Sequence, residues 1–443
     1  MGHDRLVTAD ARVTDARYAR SEAALERARR TIPLGAQTFS KSITQFPFGV
    51  SPYFAARAKG SRTWDVDGNA YADFINALCS VTLGHADEDV NGAVEKQLKD
   101  GTIFSLSHQL EAECAERICR LVPCAEQVRF GKNGSDATAG AIRIARAATG
   151  RDHVLVCGYH GWQDWYIGST ARNLGVPAAT RALTHQFPYD DLPALAAKLD
   201  ALKGKVAAVI LEPMNVKFPS QGYLEGVKRL TADAGAVLVF DETITGFRYA
   251  KGGAQEYFGV TPDLCTLGKG IANGFPLSAV AGRADLMKLM EEVFFSFTMG
   301  GEALSLAAAC AAMDKLQREP VVETMASRGA EVAQGVDALI ARHGLSETLS
   351  TAGHPSWSFL LMADRPAATS FELKTLFLQE VFANGVLTLG THNMSYAHTA
   401  ADVAELLDAY DQAFTVIGRA LDAGGVGGFL RCEPLQPLFK VRG

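Results

Sequence analysis

Between residues 107 and 320 the chain alternates short, nearly continuous apolar runs with stretches of helical periodicity, and this pattern restricts the fold most. The runs are Gln127-Val128-Arg129-Phe130, Val154-Leu155-Val156-Cys157, Val206 to Leu211, Ala236 to Phe240, Leu264-Cys265-Thr266 and Ser278-Ala279-Val280-Ala281. Helix candidates such as 136–148 and 223–234 lie between them. A strand that is apolar on successive residues must be covered on both faces. The pattern therefore implies an α/β fold, a mainly parallel sheet with helices on both sides. Upstream, residues 9–30 alternate Ala, Arg and Glu as a polar amphipathic helix, and Trp64-Asp65-Val66-Asp67-Gly68-Asn69 reads as a hairpin. Downstream, two long helix candidates (321–342 and 400–421) join strand candidates at Trp357–Met362 and Val386–Leu389 in a smaller α+β domain.

Composition narrows the partners. The 443 residues are 48% hydrophobic, enough for a large core and roughly two to three domains. The net charge is −6 and no Lys/Arg block exceeds a pair, which gives nucleic acid or an anionic membrane no electrostatic footing. Cys114, Cys119 and Cys124 recur every five residues, about 140° apart on a helix, so they share no face on which to hold a metal. With no CxxC or His/Cys ligand spacing, free thiols are expected and no metal site. The opening Met1-Gly2-His3-Asp4-Arg5 lacks a signal-peptide core, and no apolar run approaches the roughly 18 residues of a spanning helix. The expectation is a soluble, cytoplasmic, enzyme-sized protein.

Chemistry-bearing residues follow the apolar runs in order. Gly131-Lys132-Asn133-Gly134-Ser135-Asp136 links a strand to a helix; it suits an anion, through Gly134 and the Ser135 hydroxyl, as well as it suits an ordinary capped turn. Tyr159-His160-Gly161-Trp162 follows the strand ending at Cys157. An aromatic there can cover a flat cofactor, although packing alone is the plainer reading of Tyr159 and Trp162. Glu212 and Asp241 each end a strand, where a buried charge is costly unless paired. Lys269 sits in the glycine turn Thr266-Leu267-Gly268-Lys269-Gly270. Thr298 precedes an Ala-rich helix, as an anion ligand or as an N-cap. A turn-held lysine and a strand-end carboxylate are the groups a pyridoxal phosphate (PLP) enzyme depends on. The lysine forms the imine, and the carboxylate keeps the pyridine nitrogen protonated.

The order of these motifs resembles the class-III aminotransferases of PLP fold type I, above all the glutamate-1-semialdehyde 2,1-aminomutase branch. Gly134-Ser135-Asp136-Ala137 is similar to that family's phosphate loop and Tyr159-His160-Gly161 to its Tyr-His-Gly. Glu212-Pro213, Asp241-Glu242-Thr243-Ile244-Thr245-Gly246-Phe247-Arg248 and Leu267-Gly268-Lys269-Gly270 resemble its other signatures. Leu83-Gly84-His85 and Ala397-His398-Thr399 extend the likeness to about residues 30–420. The resemblance implies a seven-stranded, mainly parallel sheet in a large domain at 76–320. A smaller domain would be formed by 321–443 together with the helix-and-hairpin segment 1–75. It also implies roles. Lys269 would hold PLP and shuttle a proton, Asp241 would pair with the pyridine nitrogen, and Tyr159, beside His160, would stack on the ring. Gly134 and Ser135 would hold the phosphate, Glu212 would lie near the ring's O3′ side or the lysine, and Thr298 would complete the phosphate site of the neighbouring subunit in a homodimer.

Two segments depart from the aminomutase pattern. Aminomutases resemble Phe-Glu-Ala-Gly-Phe ahead of their Ala-His-Thr; here Leu389-Gly390-Thr391-His392-Asn393-Met394-Ser395-Tyr396 contains no acid. The N-terminal loop Gly35-Ala36-Gln37-Thr38-Phe39-Ser40-Lys41-Ser42 lacks the arginine expected to grip a substrate carboxylate, for which Lys41 is a poor substitute. Both departures fall where substrate should touch. They favour transfer from an amino acid donor to a separate aldehyde or keto acceptor over the intramolecular aminomutase reaction. The 37–42 loop and the tail 432–440 resemble a subgroup associated with surface-polysaccharide and unusual-sugar pathways.

Overall fold

In the computed structural model, which describes residues 16–436, a helix at Ala19–Arg29 leads into the strands β1 (Ala55–Lys59), β2 (Arg62–Asp65) and β3 (Ala70–Asp73). The β2–β3 connection is the expected hairpin. Its turn is closed by the Asp65 carboxylate, which accepts from the backbone N–H of Asp67 and Asn69 and from the Asn69 amide. The expected helix residues 9–15 and the tail residues 437–440 lie outside the described residues.

The apolar runs form the central sheet: β4 (Gln127–Gly131), β5 (His153–Cys157), β6 (Thr184–Gln186), β7 (Val206–Leu211), β8 (Val237–Asp241), β9 (Leu264–Leu267) and β10 (Ser278–Gly282). Their spatial order is β4-β10-β9-β8-β7-β5-β6. All neighbours run parallel except β10, which is antiparallel to both β4 and β9. Period-2 alternation divides each strand between two cores. Leu155, Val209, Leu211, Leu238 and Phe240 face one, covered by helices Gln109–Leu121, Tyr223–Asp233 and Ala303–Arg318. Val154, Val156, Ala208, Ile210, Val237 and Val239 face the other, under helix Gly134–Thr149. The helix supplies Ala137, Ala141, Ile144 and Ala145, small side chains that allow it close approach.

The C-terminal part holds β11 (Leu349–His354), β12 (Trp357–Met362), β13 (Val386–Leu387) and β14 (Thr391–Asn393), with helices Val321–Arg342, Ser370–Ala383 and Ala400–Asp422. Strand β13 pairs parallel with β3, which joins the two chain ends in one sheet. Arg62 of β2 reinforces the junction through a two-bonded ion pair with Glu405, at 2.9 and 2.5 Å. β13 is shorter than the run Val386–Leu389 suggests. Thr388 turns its hydroxyl onto the Thr391 carbonyl at 2.8 Å, and Gly390, at φ +79°, reverses the chain.

One backbone feature is unusual. Asn76, Ala77, Leu78 and Cys79 all have positive φ (43°, 46°, 58° and 68°), a left-handed turn built from four residues with side chains. Such a conformation costs about 1–2 kcal/mol per residue. It is held by Asp73, whose Oδ1 accepts from Ile75 N and Asn76 N at 2.9 Å each, and by Asn393, whose amide donates to the Ile75 carbonyl at 2.7 Å. The Asn76 amide donates in turn to the Asn393 carbonyl.

Candidate active site

Parallel strands β5, β7, β8 and β9 finish at Cys157, Leu211, Asp241 and Leu267, so the residues that follow them gather along one edge of the sheet. Registration of Leu211 with Phe240, and of Asp241 with Thr266, places Glu212 beside Asp241 and brings the Lys269 turn next in line.

Asp241 is 4% exposed and heavily hydrogen-bonded. Its Oδ1 accepts from Thr243 N at 3.1 Å, Thr243 Oγ1 at 2.6 Å and Thr266 Oγ1 at 2.9 Å, and its Oδ2 lies 2.8 Å from His160 Nδ1. Burial acts to raise the Asp241 pKa. His160, the Thr243 hydroxyl and the nearby Lys269 ammonium more than offset it, and the carboxyl stays below its ordinary range. The other ring nitrogen, His160 Nε2, faces the Cys157 carbonyl at 3.1 Å. His160 is thus held between a carboxylate and a carbonyl, one at each ring nitrogen. A carboxylate has about four acceptor positions, and Oδ2, with only His160 on it, keeps room for one more donor.

Lys269 begins the 3-10 turn Lys269–Ala272 with φ +44°, a strained conformation for a lysine. Gly268 before it and Gly134 at the start of the helix Gly134–Thr149 both press on Thr243: a Cβ on either would stand 3.1 or 3.0 Å from the Thr243 methyl. The strand-end acid, the lysine turn and the helix N-terminus thus meet on one threonine. As the first residues of the helix, Gly134 and Ser135 have N–H groups without intrahelical acceptors, and the positive end of a sixteen-residue helix favours an anion there. The Asp136 carboxylate keeps the loop closed by accepting from Lys132 N at 3.0 Å and Asn133 N at 2.8 Å.

Tyr159 is 53% exposed, although its backbone N–H is fixed to Glu212 Oε2 at 3.0 Å. Its ring meets Tyr166 edge-on at 5.5 Å. Gly161, at φ +105°, carries no Cβ because one would collide with the Ser135 hydroxyl; the Ser135 Oγ accepts from Trp162 N at 3.2 Å. Glu212 also accepts from the Asn215 amide at 3.1 Å. Burial, followed by the negative charge of Asp241, pushes its pKa above the usual carboxylate value. Glu242, next to Asp241, instead caps the helix Ala254–Phe258 through Ala254 N and Gln255 N.

Gly134, Ser135, Tyr159, His160, Glu212, Asp241 and Lys269 are therefore one assembly. Thr298 stands apart, exposed on the segment before helix Ala303–Arg318. It does not cap that helix, and the helix end is not open to an anion. Glu302 caps it by accepting from Leu304 N and Ser305 N, and pairs with Lys132 at 2.8 Å. Sequence reasoning missed Thr243 and Thr266 as partners of Asp241. Their signal was a hydroxyl in or beside an otherwise apolar strand.

The set fits PLP on its own features. A half-exposed aromatic face, a carboxylate with acceptor capacity left, a lysine and unpaired helix N–H groups answer the ring, the pyridine nitrogen, the aldehyde and the phosphate.

A family model described as Aminotransferase class-III matches residues 47–412. The 3-aminobutyryl-CoA aminotransferase of Cloacimonas acidaminovorans (strain Evry) is 32% identical over 415 residues, covering 91% of this chain and 99% of that protein. A glutamate-1-semialdehyde 2,1-aminomutase of Symbiobacterium thermophilum is 36% identical over 430 residues, covering 90% and 98%. Among solved structures, the FumI protein of Sphingopyxis sp. MTA144, in its PLP internal aldimine form, aligns with a TM-score of 0.85 at 31% identity, covering 91% of this chain and 98% of that one.

Proposed function

The chain belongs to the class-III aminotransferase family and is PLP-dependent, and from that premise we propose that it moves an amino group from an amino acid donor to a separate aldehyde or keto acceptor. The observation that carries this reading is the convergence of Lys269, the Asp241–His160 pair and the Gly134 helix end on Thr243. The preference for a separate acceptor rests on segment 389–396, which brings no carboxylate. Its buried polar side chains hold the fold instead: His392 bonds Ser358 and Tyr410, and Asn393 bonds Ile75.

In this reading Gly134 N–H, Ser135 N–H and the Ser135 hydroxyl would hold the phosphate, and Tyr159 would pack against the ring. Bound PLP supplies an electron sink for the bond broken at the donor's amino-bearing carbon. Asp241, held anionic by His160, Thr243 and Thr266, would accept from the pyridine N–H and so keep that sink charged. Lys269 Nζ would hold the cofactor and would carry the proton from the donor carbon. Glu212 fixes Tyr159 through its backbone N–H.

We further propose a homodimer in which Thr298 reaches the neighbouring site. Exposed apolar side chains at Ile103, Phe104, Leu106, Phe294 and Met299 support it: they lie on two segments that adjoin where Ala303 N bonds the Thr102 carbonyl at 2.8 Å. For the acceptor, the likeness of segments 37–42 and 432–440 to surface-polysaccharide and unusual-sugar enzymes supports a hydroxylated or phosphorylated carbonyl compound.

Absorbance of the PLP-loaded protein tests the reaction. L-Glutamate or L-alanine should convert the cofactor's aldehyde-derived band to that of its amine form, and a keto acid or aldehyde should restore it. Turnover of glutamate 1-semialdehyde alone, with no response to any separate acceptor, would establish the aminomutase alternative instead.

A further inference from the structure

Arg248 is 1% exposed, yet its hydrogen-bond partners among the described residues include no carboxylate. Its Nη1 donates to the Ser356 carbonyl at 3.0 Å and the Met394 carbonyl at 2.7 Å. Its Nη2 reaches the Cys79 carbonyl at 3.4 Å and Thr82 Oγ1 at 3.5 Å. Its own carbonyl accepts from the Ser356 hydroxyl at 3.5 Å. Burying a guanidinium without a counter-ion is a poor route to stability, since an apolar side chain of similar volume does as well or better. What a planar fork provides is reach in fixed directions. Here it joins three backbone segments far apart in sequence, at 79–82, 356 and 394.

The 79–82 segment borders the lysine turn. Gly270, next to Lys269, has no room for a Cβ because Thr82 Oγ1 occupies that space, with the Cys79 carbonyl 3.6 Å away. Cys79 closes the left-handed turn Asn76–Cys79, and burial, tempered by the charges of Arg248 and Lys269, raises its thiol pKa. Met394 lies in the segment that departs from the aminomutase pattern, and its N–H bonds the Ser356 carbonyl at 3.2 Å. Arg248 is absent from the partners of Asp241, which are His160, Thr243 and Thr266. Its reach is toward the turn beside Gly270 and the segment at 394, and not toward the Asp241 carboxylate.

We propose that Arg248 is a positioning residue for the acceptor pocket, fastening the left-handed turn 76–79 and the segment 389–396 to the loop that follows Asp241. The assignment to the acceptor rests on transamination; the fastening does not.

The test compares Arg248→Lys and Arg248→Met with the parent, all PLP-loaded, by amide hydrogen exchange, cofactor absorbance, and steady-state kinetics with pyruvate and 2-oxoglutarate. Exchange at peptides covering 76–83 and 391–396 should rise at least tenfold in both variants, while peptides from β7, β8 and β9 stay protected and the cofactor band stays in place. Acceptor KM should rise tenfold or more, with the donor half-reaction within threefold of the parent. Unchanged exchange at both peptides, or full recovery by Arg248→Lys, which keeps the charge but not the fork, overturns the proposal. If neither variant folds, Asn393→Ala removes a separate tie between the same segments. It should reproduce the local exchange and the KM rise, and parent-like behaviour there overturns the proposal as well. A parent protein inert toward every amino donor would count against transamination and leave the exchange result to decide Arg248.

Discussion

Asp241 keeps its charge because of its neighbours, and its chemistry should change in a graded way as they are removed. Without His160, burial dominates and the Asp241 pKa rises. His160→Ala should therefore move the acid limb of the kcat/KM profile to higher pH, and an unmoved limb would show that the pair does not set that carboxylate. Asp241→Asn keeps the shape but removes the anion, and kcat should fall about 10²- to 10³-fold with PLP still bound. Lys269→Ala should abolish turnover while leaving the melting temperature close to that of the parent, because the lysine anchors no core contact. Gly161→Ala pairs a left-handed φ of +105° with a collision at Ser135. It should cost about 1–3 kcal/mol and weaken PLP binding, read by thermal melts with and without the cofactor.

Among the elements, those with a strong period were legible. Helix Val321–Arg342 and strand Trp357–Met362 form with the boundaries their patterns suggest, and helix Gly134–Thr149 extends the expected 136–148 by a residue or two at each end. Strand β6 was not legible, because Thr184-His185-Gln186 is a three-residue edge strand with no apolar run to betray it. Helix Ser370–Ala383 was missed for the opposite reason: Leu373, Leu376, Phe377, Val381 and Phe382 are buried on so much of its surface that the polar stripe nearly vanishes. At the site, residues that end strands were visible from spacing, whereas Arg248 and the Asn76–Cys79 turn act through contacts between distant segments. Helix Ala303–Arg318 offers a check on local chemistry. Glu302→Ala removes its cap and leaves Lys132 without its carboxylate, which should lower stability by about 1 kcal/mol or slightly more in a thermal or denaturant melt.

For the whole molecule, two buried histidines set a pH window. Burial, with Arg248 adding to it, lowers His354 to about 4, and burial lowers His392 to about 3. Unfolded, each takes a proton near 6.5, so the unfolded state binds more protons between pH 6.5 and about 4. Stability is then full above pH 6.5 and falls as pH drops through that window. Each histidine should contribute about 2 kcal/mol less at pH 5 than at pH 7. Replacing His354 with Gln should flatten the dependence seen in melts across that range. Assembly is open to the same scale of test. Leu106→Asp combined with Phe294→Asp should shift sedimentation toward the monomer and weaken PLP binding if Thr298 completes a neighbouring site. The central claim, that Lys269 holds PLP and releases it to an amino donor, is tested most directly by borohydride reduction of the PLP-loaded protein followed by peptide mass mapping. The cofactor's mass should appear on the peptide carrying Lys269 and disappear when L-glutamate or L-alanine is added before reduction. A label on another lysine, or one that no amino donor removes, would contradict the account.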